Sequence, residues 1–327
     1  MENNNYMKPK RREFIKKISG AGLGILAARE LGSLPAIPTN RKSKKIEEIC
    51  VFSKHLQFLD YEEMAETAAE IGFDGVDLTV RAGGHVLPEN VSKDLPKAVK
   101  AVEKAGLKAP MMASDINNPV DPLTEPVLRT AADLGIKFYR MGYLGYDLGK
   151  GVIDTLKEYK SDIEGLISLN NKYGIVGNYQ NHDGTNVGAP IWDLWYLFNE
   201  YQPAWIGCQY DIRHATVEGG HSWPIDLHLI APYIHTLVIK DHYWGQVNGK
   251  WRIINTPIGE GMVDFNKYFQ LVKQLNIGGP VTIHFEYPMT ERPEEEMDVK
   301  AVKSQVMKAM KKDLDSLKNM LKNAGLM

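Results

Sequence analysis

The chain has 327 residues, 43% hydrophobic and 24% charged, with a formal net charge of −2. That is enough apolar material for one large core, and the near-neutral balance gives no basic field to gather nucleic acid. Two cysteines, Cys50 and Cys208, cannot build a disulfide framework and have no zinc-ligand spacing, so both read as small core residues.

In Lys10-Arg11-Arg12-Glu13-Phe14-Ile15-Lys16, paired arginines precede an apolar, glycine-rich stretch from Ile18 to Ala28. This is the pattern of a twin-arginine signal, so residues 1–40 read as signal and linker and the protein is expected in the periplasm. No clean A-x-A site precedes Ile37, which leaves an uncleaved membrane anchor open. The apolar stretch is short for a membrane span, and no other segment approaches that length.

From residue 46 short apolar strands alternate with amphipathic helices. Strands are expected at 46–53, 74–80, 107–114, 136–142, 175–180, 205–211, 234–241 and 281–287. Helices are expected at 60–71, 95–105, 125–134, 151–173, 190–200, near 224–232, and at 264–276. Glycines 72, 106, 135 and 174 close the first four. Eight βα units with right-handed crossovers predict a closed (β/α)8 TIM barrel over residues 46–327, a single domain. A charged amphipathic helix from Glu294 to Leu326 is extra to this repeat and is expected outside the barrel or at a subunit contact.

Active sites of such barrels lie at the C-terminal ends of the strands, which makes the polar strand-end residues the candidates. YDIRH places Asp211 at a strand end and His214 on the turn above it, donors that suit Mn, Co, Zn or Mg. Glu286, in HFEYP, needs a cation or partner to offset its burial. Lys240, after four apolar residues in VIKDHYW, is expected to pair with a site carboxylate or grip a substrate oxygen. Arg140 and Asp77 end or line strands and are expected to face substrate or a charged partner. His85, in the flexible RAGGHV, is a further substrate contact, equally readable as a solvated loop residue. His182 and Gln180 share the stretch NYQNHDG, where strand five runs into a turn. Asp241 reads as a loop or cap residue, His284 as core, and PIGEGMVDF (257–265) as a turn over the barrel mouth.

The N-H pair after strand five, D-x-x-H after strand six, I-K-D after strand seven, G-E-G before the last barrel helix and F-E-x-P in strand eight resemble the sugar phosphate isomerase/epimerase family. This is the xylose isomerase-like barrel superfamily, which also holds inosose dehydratases and lyases acting on 3-keto-glycosides. The resemblance spans residues 46–290. It implies one divalent metal held by a Glu, an Asp, a His and a Glu, at the positions of Gln180, Asp211, Val238 and Glu286. Two of these depart from the pattern: Gln180 is an amide and Val238 is no ligand. A glutamine can coordinate through oxygen but cannot accept a proton at usable pH, which weakens a two-carboxylate epimerisation.

The resulting expectation is an exported, sugar isomerase/epimerase-like enzyme that abstracts a proton alpha to a carbonyl of a non-phosphorylated sugar or keto-sugar. Glu286, His182 and Lys240 carry the catalysis. Asp211, Glu286, Gln180 and His214 hold a divalent metal, and Arg140, His214, Asp77 and His85 bind substrate. Expected partners are a small-molecule carbohydrate, a homo-oligomer and a sugar oxidoreductase. The alternatives are β-elimination by a keto-glycoside lyase or dehydratase on the same site, and a carbohydrate-binding barrel without turnover.

Overall fold

The computed structural model describes residues 44–327, which lie within one compact unit. The export signal expected at residues 1–40 falls outside them. Eight parallel strands close into a barrel: β1 (Ile49–Phe52), β2 (Gly75–Val80), β3 (Lys108–Ser114), β4 (Phe138–Arg140), β5 (Val176–Gln180), β6 (Ile206–Asp211), β7 (Ile234–Ile239) and β10 (Val281–Ile283), with β10 pairing back to β1. Around it run α1 (Tyr61–Ile71), α2 (Val91–Lys104), α3 (Thr124–Asp133), α4 (Val152–Tyr173), α5 (Ile191–Phe198), α6 (Ile212–Gly219), α7 (Trp223–Ile230), α8 (Phe265–Gln274) and α9 (Val299–Ala324). No helix among the described residues is long and apolar enough to cross a membrane.

The two-residue period of a strand divides each one between the helix layer and the barrel interior. On β4, β5 and β6 the penultimate residue is a tyrosine turned to the helices. Tyr139 donates to Asn170 of α4, Tyr179 bonds the backbone at Leu144 and Val187, and Tyr210 stacks on Tyr268 of α8. The last residue of each strand, Arg140, Gln180 and Asp211 respectively, therefore points the other way, into the barrel mouth.

Three segments differ from the sequence expectation. The chain after β6 forms two helices, because Asp211 caps α6 at once by accepting the His214 N–H, and a further helix, α7, begins at Trp223. The loop after β7 contains an antiparallel hairpin, β8 (Asp241–Val247) and β9 (Lys250–Thr256), turning at Asn248 and Gly249, both at positive φ. Strand β10 stops at Ile283, so Glu286 stands on the irregular chain beyond the strand. The C-terminal helix α9 lies outside the strands, as expected. It packs against α8 and α1, where the eighth helix of the barrel would lie, burying Val306, Met310, Leu314, Leu317 and Leu321.

Candidate functional site

The polar ends of β4–β7 and the chain after β10 meet in one cluster centred on Lys240. Its Nζ lies 2.6 Å from His214 Nε2, 3.0 Å from Asp211 Oδ2 and 3.2 Å from Glu286 Oε1. An ammonium has three N–H bonds and no acceptor, so these three partners use all of them. Asp211 divides its oxygens. Oδ1 caps α6, and Oδ2 accepts from Lys240 and, at 2.8 Å, from the Gln180 amide. Gln180 is held in that orientation because its Oε1 accepts from the Tyr143 hydroxyl at 2.9 Å and from Arg140 at 3.5 Å. Asn181 fixes the Asp211 backbone with reciprocal bonds of 2.7 and 2.9 Å.

A second layer lies beside it. Asp183 Oδ1 is 2.5 Å from His214 Nδ1, 2.9 Å from Arg213 and 3.3 Å from His182 Nδ1. The His182 ring sits 3.9 Å from that of His214, centroid to centroid, with its side chain 35% exposed. Arg213 also donates to Asn255 of β9 at 2.6 Å, and Asn255 in turn donates to the Glu286 carbonyl at 3.1 Å. The hairpin thus ties β6 to the segment that carries Glu286. Ligand atoms of His182, Asp183 and His214 lie within 4.8 Å of one another, the one such group of metal-capable side chains among the described residues.

The charges are set by their neighbours. Burial alone would raise Asp211, but the Lys240 ammonium, by its charge and its hydrogen bond, outweighs it and holds the carboxyl below its ordinary value. Glu286 behaves alike, with Lys240 and Arg213 overcoming burial, so both carboxylates are ionised. Burial, reinforced by Lys240, His182 and Arg213, holds the His214 imidazole well below its usual value despite Asp211. A neutral imidazole fits both contacts: Nδ1–H donates to Asp183 and Nε2 accepts from Lys240.

Of the expected site residues, the structure brings together Gln180, Asp211, His214, Lys240, Glu286, Arg140 and His182. Two expected substrate contacts do not join them. His85 is turned back onto the strand ends, its Nδ1 3.2 Å from Ser53 Oγ and its N–H donating to Thr79 Oγ1 at 2.9 Å. Asp77 sits mid-strand on β2, 1% exposed, and burial pushes its carboxyl up to about 7 with Arg140 offsetting in part. Asp241 is a loop clamp, accepting four backbone N–H groups from His242, Gly259, Gly261 and Val263 at 2.8–3.1 Å. His284 packs in the barrel, stacked on Phe52 at 4.2 Å. Tyr143, Asp183, Arg213 and Asn255 have site contacts that carried no sequence role, although Asp183 and Arg213 stand inside the motifs NYQNHDG and YDIRH.

A closed barrel with charged groups gathered at the strand ends defines an α/β barrel of the kind that builds its sites there. The chain belongs to the xylose isomerase-like TIM barrel family, whose model matches residues 65–320. No curated protein matches the chain significantly in sequence. Among solved structures it is similar to the 3-keto-D-glucoside 4-epimerase of E. coli, at 15% identity and a TM-score of 0.59, covering 80% of this chain and 98% of that one. It is also similar to a D-allulose 3-epimerase from Methylomonas sp., at 15% identity and a TM-score of 0.62, covering 85% and 98%. A probable 3-DHS dehydratase from Bacillus anthracis matches at 13% identity and a TM-score of 0.60, covering 81% and 98%.

Proposed function

We propose that this protein is a sugar isomerase/epimerase-like enzyme that removes a proton alpha to the carbonyl of a neutral sugar or keto-sugar using a single carboxylate base. The observation that carries the reading is the asymmetry of the mouth. Glu286 is ionised and its side chain is 31% exposed, whereas Gln180, on β5, is a hydrogen-bonded amide with no basicity. Glu286 takes the proton, the electron pair of the broken C–H bond forms a C=C bond to the carbonyl carbon, and the carbonyl π pair moves onto its oxygen. Lys240 and Arg140 supply the positive charge that stabilises this oxyanion, from side chains that are themselves buried. The longest Lys240 contact, to Glu286, is the one a substrate oxygen replaces. His182 stands half-buried beside the cluster and returns a proton.

With one base the enediolate has two outcomes. Reprotonation on the neighbouring carbon isomerises the sugar; loss of a β-oxygen substituent, protonated by His182, eliminates it. The missing second carboxylate favours either over a two-base inversion, and it is the observation that supports the keto-glycoside lyase or dehydratase reading. That keto-glucoside and ketose epimerases and a dehydratase share the fold is consistent with both. An oxidoreductase that supplies the keto-sugar is the partner this chemistry calls for. Export rests on the Arg11-Arg12 motif and the apolar stretch after it, and cell fractionation of wild type against an Arg11→Lys, Arg12→Lys double variant tests it.

Screening ketoses, aldoses and 3-keto-glucosides with wild type, Glu286→Gln and Asp211→Asn tests the enzyme reading. Turnover by wild type, with losses of about 10²–10⁴-fold in each variant, is expected. Full activity in both variants contradicts it, and a carbohydrate that binds without turning over would make this a binding barrel.

A further inference from the structure

The residues at the positions where the family resemblance implies metal ligands do not fit a divalent cation. Asp211, His214 and Glu286 converge on one point, and the Nζ of Lys240 lies there, 2.6–3.2 Å from all three. Gln180 turns its NH2 group, not its oxygen, toward Asp211 Oδ2, and Tyr143 and Arg140 lock that orientation from the other end. Val238 lies directly beside Asp211 in the β6–β7 register, where a ligand would have to stand, and offers only methyl groups. Lys240 is two residues further along the same strand face, and so reaches the same space. The neighbouring group of His182, Asp183 and His214 is filled in the same manner. Arg213 lies 2.9 Å from the Asp183 oxygen, and His214 already uses both ring nitrogens.

We propose that the Lys240 ammonium is the resident cation of this barrel, standing between Asp211, His214 and Glu286 in place of a divalent metal, so that the site is built and works without one. This rests on the site described under Proposed function and deepens it by naming the source of positive charge. Hard divalent cations need several oxygen lone pairs at 2.0–2.6 Å. Here the lone pairs that converge are spent on N–H donors. A metal would have to expel an ammonium already paired with two carboxylates. Unlike a metal, the ammonium cannot be chelated, and it can lend a proton to the oxyanion it stabilises.

The test reads metal binding and not turnover, so its failure is separate from failure of the catalytic reading. Purified full-length protein is analysed for metal content, dialysed against EDTA, and heated with Mn2+, Co2+, Zn2+ or Mg2+ at about 1 mM each. Wild type is expected to carry far less than one metal per chain and to melt at the same temperature with and without each ion. In Lys240→Met the carboxylates and imidazole are released, and Mn2+ is expected to raise its melting temperature by several degrees. Stoichiometric metal in wild type, or a rise of several degrees on adding any of the four ions, overturns the proposal whether or not Lys240→Met folds. A folded Lys240→Met protein that stays blind to Mn2+ overturns the assignment of metal exclusion to the ammonium.

Discussion

Residue by residue, the site is an exercise in satisfying one buried cation. Lys240 is 3% exposed and Asp211 fully buried, a pairing that is costly unless it is hydrogen-bonded throughout; here all three ammonium N–H groups have partners and both Asp211 oxygens accept. Removing one partner should therefore cost more than the pair itself contributes. Asp211→Asn is expected to lower stability by about 3 kcal/mol, measured by urea unfolding, because Lys240 is left short of a charge. Gln180→Glu restores the residue type of the family resemblance but sets a second carboxylate against Asp211 Oδ2. A melting temperature several degrees below wild type is expected, and a rise would show that a cation site had been rebuilt. Sequence reasoning reached Lys240, Asp211, Glu286 and Gln180 because each is a polar residue ending an expected strand. It could not see that Lys240 fills the space between the others. That depends on a side chain reaching back from two residues past Val238, which no spacing encodes.

Among the elements, the hairpin β8–β9 and the loop after it do the positioning. Asp241 gathers four backbone N–H groups and so folds the 257–263 segment beside the mouth; at Gly261 a Cβ atom would fall 2.3 Å from Asp241 Oδ1. Asp241→Ala strands those donors, and a loss of about 3 kcal/mol or more is expected in thermal or urea unfolding. The barrel repeat was legible because helix, glycine and strand recur with the right periods, and the TyrArg, TyrGln and TyrAsp strand ends show their alternation directly. The hairpin was not. Its strand residues, DHYWGQV and KWRIINT, are half exposed, so they lack an alternating apolar face, and only Asn248-Gly249 signals the turn.

At the scale of the whole molecule, two buried carboxyls far apart in sequence couple stability to pH. Burial pushes both Asp77 and Asp313 up to about 7 from 3.8; Tyr287 and the Ile258 N–H, which both bond Asp313, lower it only in part. Each stays protonated in the folded chain where the unfolded chain has released its proton. Stability is thus fully present below about pH 4 for these groups and is lost as pH rises toward 7, by up to about 1.4 kcal/mol per pH unit per group. Thermal unfolding between about pH 4 and 7 should show this slope, levelling off above it, and an Asp77→Asn, Asp313→Asn double variant should flatten it. No sequence pattern announces these two, since their neutral state follows from what packs around them. The central claim concerns a C–H bond, and the most direct measurement is proton NMR of a 3-keto-glucoside or ketose incubated with the enzyme in D2O. Because Glu286 is partly exposed, its captured proton exchanges with solvent. The account predicts that wild type either replaces the hydrogen alpha to the carbonyl with deuterium or loses it together with the β-substituent, and that Glu286→Gln does so about 10²-fold or more slowly. Equal rates in the two proteins, or turnover that leaves the alpha hydrogen in place, would contradict it.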